Sequence, residues 1–204
     1  MLRSRKEGRP PEEQIQAVLR YGSHGYAHGH FDRTELLSVM RNGRSLFNPE
    51  HVWWGYGHFM YKFYVQNSNT KNMVVTDGKM QIPADARRVL FYSGEKLQAA
   101  GVCTTARWGY PSYGGMIYER GQSLRERCEY NASDLPCCDA APCGEVTELT
   151  EPITQTRVMA ALDDCIVIFD SMKGEREHRY ESQVQIKGFR SLKAADRESC
   201  LESQ

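Results

Sequence analysis

The chain has 204 residues, and at roughly 150 residues per domain one compact domain is the expectation. Lys and Arg number 26, and so do Asp and Glu, so the formal net charge is zero. That balance excludes a protein held on nucleic acid or anionic lipid by bulk charge alone, and 40% hydrophobic residues exclude wholesale disorder.

Residues 1–13 are charged and Pro-bearing and read as a disordered leader ahead of a domain spanning 14–204. No apolar segment follows Met1–Lys6, so the start does not read as a signal peptide, and no apolar run reaches the roughly 18 residues of a membrane span. Seven cysteines, an odd number, then suggest reduced thiols and a cytoplasmic location. Four of them (Cys128, Cys137, Cys138 and Cys143) fall in a polar stretch, 121–147, that reads as a long loop. Their spacing has no C-x2-C pair of the kind that grips zinc, so no metal is favoured there.

In chain order, Gln14–Arg20 suggests a short helix running into a strand. A glycine- and histidine-rich stretch, 22–30, forbids regular structure. Asp32 as N-cap, Glu35 as its capping-box partner, the apolar set Leu36, Leu37, Val39 and Met40, and Asn42-Gly43 as a stop together predict a helix over 33–42. The alternation of Phe59, Tyr61 and Phe63, the pair Val74-Val75 and the run Arg88–Tyr92 predict strands. Ser93–Lys96 turns that run into Leu97–Val102, a hairpin, and Met116–Tyr118 is another short strand. Cys165–Phe169 reads as a buried strand, 171–179 as a charged turn, and Tyr180–Phe189 as the last strand. Many strands and a few short helices make the expected fold α+β, a single domain on a twisted antiparallel sheet.

Four constellations carry candidate chemistry. His24, His28 and His30 with Asp32 have the residue types of a zinc or iron site, with His178 a conceivable distant ligand. Asp170 followed by Gln185-Ile186-Lys187 has the layout of a metal-dependent nuclease, with a glutamine in place of the second carboxylate. The hairpin 86–102 resembles the central hairpin of PUA-like, EVE or ASCH domains, which implies a module that binds RNA or a modified base without catalysis. The fourth constellation uses both ends of the chain. Leu19-Arg20-Tyr21-Gly22-Ser23 followed by 34–43 resembles the opening of the ADP-ribosyltransferase fold, 54–64 resembles its nicotinamide-stacking stretch, and Tyr180–Ile186 is similar to its closing strand.

That last resemblance supplies the leading expectation. It implies an NAD-cleaving or ADP-ribosyl-transferring enzyme in which Arg20, Tyr21, Gly22, Ser23 and His24 seat the nicotinamide half of NAD while Tyr56 and Tyr61 stack on it. Glu181 would stabilise the oxocarbenium-like charge on the ribose, with Gln183 beside a macromolecular acceptor, protein or nucleic acid.

Overall fold

The computed structural model describes residues 1–24, 29–47, 64–109, 149–195 and 198–203. Strand accounts for 48% of it and helix for 6%, in pieces shorter than seven residues, so the fold is all-β and the α+β expectation is corrected. The first sheet is an antiparallel ladder of β1 (Leu2–Arg3), β2 (Gln16–Leu19), β3 (Leu36–Arg41) and β4 (Arg44–Phe47) in that order. The second has the order β11-β10-β8-β7, from β7 (Ala86–Ser93), β8 (Gln98–Ala106), β10 (Ile153–Ala161) and β11 (Ile166–Lys173). Three two-stranded pairs complete it. β5 (Val74–Thr76) pairs with β12 (Tyr180–Ser182), β6 (Met80–Gln81) with β9 (Trp108–Gly109), and β13 (Phe189–Ala195) with β14 (Glu198–Ser203).

Where the helix over 33–42 was expected, β3 stands instead. Asn42 and Gly43 both have positive φ, 54° and 68°, and form the two-residue turn that joins β3 to β4. Asn-Gly is the commonest sequence for such a hairpin turn, because both central positions need φ > 0. Read as a helix stop, the same dipeptide had seemed to close a helix. The expected helix at 14–20 is likewise a single 3-10 turn at Pro11–Glu13 followed by β2. The leader is ordered too: Leu2 pairs with Ala17 and is 2% exposed, and Ser4 donates its hydroxyl to buried Gln14.

The 86–102 hairpin is present as β7 and β8 and Val74-Val75 lies in β5, while the strand expected at Cys165–Phe169 is β11, paired on one side with β10 and exposed at Val167 and Phe169 where a buried strand was expected. The last expected strand is short: it pairs with β5 only over Tyr180–Ser182, and the chain then makes the β13–β14 hairpin that the sequence pattern did not announce. The aromatic stretch 48–63, which includes Tyr56 and Tyr61, lies outside the described residues, as do Met116–Tyr118 and the loop 121–147.

The two four-stranded sheets face each other. Leu2, Ile15, Ala17, Leu19, Leu36 and Val39 from the first pack on Ala100, Val102, Met159 and Ala161 from the second. Each large aliphatic side chain buried this way contributes about 1.5–3 kcal/mol, and the alternating burial of β10 is the period-two signature of a strand with one face inward. A second cluster of Met73, Val75, Trp108 and Ile153 closes the core beside β5. The outward face of the second sheet is apolar as well, with Leu90, Tyr92, Val167 and Phe169 exposed. Among the described residues no helix is long and apolar enough to cross a membrane.

Candidate functional site

The connection between β2 and β3 folds into a ring of buried charge. Its backbone is fixed first. Arg20 donates its amide to Glu35 O at 2.9 Å, and Thr34 donates to Arg20 O at 3.3 Å, so the strand end and strand start stay paired. Between them Glu35 donates to Asp32 O at 3.0 Å, a turn in which Thr34 takes φ 84°. A β-branched residue at positive φ is strained, and surrounding bonds must hold it there. Here Arg157 on β10 does so, donating to Thr34 O at 3.1 Å and to Asn72 O at 2.6 Å. Gln81 grips the neighbouring residue from the other side: its Oε1 accepts from Arg33 N at 2.9 Å, and its Nε2 donates to Arg33 O at 3.3 Å. Gly29 is required by close approach, since a Cβ there would collide with the His24 carbonyl oxygen.

On this frame Asp32 is fully buried and serves two guanidinium groups. Arg20 donates to Oδ2 at 2.7 Å and Arg33 to Oδ1 at 3.0 Å. Arg33, 3% exposed, also donates to Ser23 O at 2.8 Å and to His30 O at 3.2 Å. Lys71, also 3% exposed, sets Nζ 3.4 Å from Nδ1 of His30, which lies 3.7 Å from Asp32 Oδ2. Glu35 is fully buried, 3.8 Å from Arg20 Nη1.

These contacts set the protonation states. Burial, then the Lys71 charge, pushes the His30 imidazole down to about 4, so it is neutral at pH 7. Burial and the Asp32 charge push the Glu35 carboxyl up to about 8. A protonated Glu35 can donate to Asp32 where a second carboxylate could not. Burial likewise lowers Lys71 and, with Arg33 beside it, lowers His24. With Glu35 neutral, the cations Arg20, Arg33 and Lys71 outnumber the two carboxylates that act on them, Asp32 and, at Arg33, Asp85. The site therefore combines a neutral base that is partly open to solvent with a net positive surround, and perturbed groups gathered like this mark functional positions.

Of the residues named from sequence, Arg20, Ser23 and His24 belong to this ring, and His24 stacks at 4.8 Å on Phe31 and donates its amide to Asp85. Tyr21 is exposed, and Gly22 bridges to Ala86 on β7. Glu181 and Gln183 are elsewhere. Glu181 pairs across strands with Val75 and takes Arg179 as its ionic partner, and Gln183 donates its amide to Met73 O. Among the described residues no hydrogen bond or ion pair joins either one to residues 20–24. His178 is held between Asp77 and Glu151, and Asp170 is held by Arg157, so neither joins the histidine ring. His28 lies outside the described residues. Among the described residues no group of three His, Cys, Asp or Glu could hold a metal. Arg33 and Lys71 went unnoticed in the sequence. Arg33 sits in the charged run 30–35 and could have been suspected; Lys71 reaches the site only through the fold.

No protein-family description and no curated protein matches the chain. Among solved structures it is similar to heparinase III, studied with methylated lysines, at 14% identity and a TM-score of 0.58, over 92% of this chain. The likeness covers 23% of the heparinase III chain, so the present chain spans about a quarter of that protein. At this identity the likeness concerns the β-fold.

Proposed function

We propose that the ring around His30 binds an acidic polysaccharide. The observation that carries the reading is the pairing of a neutral imidazole with Lys71 at 3.4 Å inside a net positive, largely buried ring. Cations there favour a carboxylate-bearing sugar. Arg20 and Lys71 would hold the anion, His30 would steady Lys71 through Nδ1, and Asp32 and Arg33 would fix the geometry. The name of heparinase III supports the choice of an acidic polysaccharide as substrate class, and the similarity in fold makes it the first ligand to try.

The test is binding of heparin-derived and uronate-only oligosaccharides. Binding that is lost in Lys71→Met and Arg20→Gln is the expected result. Undiminished binding in both cation variants would overturn the reading.

A second reading, ADP-ribosyl transfer in the cytoplasm, rests on Arg20, Ser23 and His24 gathering at the same ring. NAD in the same binding assay tests it, and no binding of NAD would overturn it.

A further inference from the structure

The opposite end of the sandwich carries a basic cavity. β7 begins at Ala86, bonded to Gly22 beside the charged ring, and its eight residues run to Ser93. At about 3.3 Å per residue that separates the two ends by roughly 23 Å. Near Ser93, which Arg5 reaches, the N-terminal segment lines a cavity of about 490 Å³ with Arg3, Arg5, Lys6 and Arg9, together with Gln14 and Gln98. That volume lies within the range of small-molecule sites.

We propose that this cavity binds a tetrahedral oxyanion, a sulfate or phosphate group. None of its lining residues is a carboxylate. Asp164, outside the lining, is the ionic partner of Lys6 at 2.9 Å and of Arg9, while Arg3 and Arg5 in the lining are left to a ligand's charge. The cations are also held in place. Arg5 donates to Gly94 O and to Ser93 Oγ, each at 3.2 Å. Arg9, with a side chain only 8% exposed, is bonded to Asp163 O and to Asp164. A guanidinium has five N–H donors, so both groups keep donors for a ligand after these anchors are made. The segment carrying them is tied to its surroundings by amide side chains. Gln14 donates to Lys6 O and Arg9 O, each at 2.9 Å, and Gln98 Oε1 accepts the Arg3 amide at 2.7 Å. Fixed, planar, cationic donors around a hollow are the arrangement that matches oxyanion geometry.

The experiment is a titration of the protein with inorganic sulfate, inorganic phosphate and acetate at matched ionic strength, followed by amide NMR. Saturable shifts at Arg5, Arg9 and Gln98 with sulfate or phosphate, and none with acetate, are expected. A preference between the two anions tells a sulfate-bearing ligand from a phosphate-bearing one. Arg3→Gln/Arg5→Gln should weaken the response at least tenfold. Lys6→Gln, at a side chain 46% exposed, is a second variant that leaves the fold intact and should weaken it as well. Equal shifts with acetate, or an unchanged response in both variants, would overturn the proposal.

Discussion

The Lys71 ammonium stands 3.4 Å from Nδ1 of His30, and at that distance the imidazole can only accept. A proton on the same nitrogen would meet a second positive charge. Burial is the larger cause of the low proton affinity and Lys71 the next. Replacing Lys71 by Met removes the charge and keeps most of the burial. The His30 pKa should therefore rise above about 4 and stop short of the ordinary 6.5. Imidazole carbon-proton shifts followed against pH read this directly. An unmoved titration would mean that burial alone sets the state.

Two groups in the ring give stability opposite pH slopes. His30 titrates near 4 when folded against 6.5 ordinarily, so the folded chain binds fewer protons between those values and stability rises with pH across them. Glu35 titrates near 8 against 4.5, so the folded chain binds more protons and stability falls with pH from 4.5 to 8. Where the windows overlap, from 4.5 to 6.5, the slopes oppose each other. Denaturation midpoints should climb up to about pH 4.5, change little to about 6.5, and fall toward 8. Glu35→Gln should flatten the alkaline fall, and His30→Gln the acid rise.

The same residues show how far sequence reasoning reaches. Hairpin 86–102 was legible because alternation and a Gly-bearing turn are local signals, and β7 and β8 pair as that pattern demands. β3 was misread because Asp32, Glu35 and Asn42-Gly43 fit helix ends as well as a loop and a hairpin turn. What decided it was distant: β2 on one side and β4 on the other, with Asn72 O accepting the Leu36 amide. The resemblance to the ADP-ribosyltransferase opening names Arg20, Ser23 and His24, neighbours in sequence that gather in the ring. Lys71 enters from a segment 41 residues beyond His30, and no local pattern carries that meeting. Glu181 was chosen for its strand, but pairing with β5 and the salt bridge to Arg179 commit it elsewhere.

His178 offers a prediction outside the ring. Nδ1 lies 2.7 Å from Asp77 and Nε2 2.8 Å from Glu151, and both nitrogens can donate only in the imidazolium form. The hydrogen bond to Glu151, then that to Asp77, raises its pKa. A raised folded pKa means stability that is present below the ordinary 6.5 and lost as pH rises through the folded value. His178→Gln should lower the melting temperature by several degrees at about pH 6 and by much less at about pH 9. An equal loss at both would show that packing, and not the charge, holds the 174–179 turn.

Arg157 decides whether the ring keeps its shape. It is 3% exposed, grips Asp170 through Nε at 2.7 Å and Nη2 at 2.9 Å, and uses Nη1 for Thr34 O and Asn72 O. A lysine has no planar fork and cannot make all four bonds, so Arg157→Lys leaves Thr34 at positive φ without its support. Breaking a buried pair by removing one member costs about 3–5 kcal/mol, because the partner's charge stays behind. Arg157→Met should fall in that range by chemical denaturation. The double variant Arg157→Met/Asp170→Leu should recover part of the loss, since it removes the orphaned carboxylate. Stability alone would not tie Arg157 to the site, so the second readout is the His30 titration. If Arg157 holds the turn that buries His30, the pKa should move up toward 6.5 in Arg157→Lys and stay near 4 in Asp170→Asn, where the guanidinium can still reach Thr34 and Asn72.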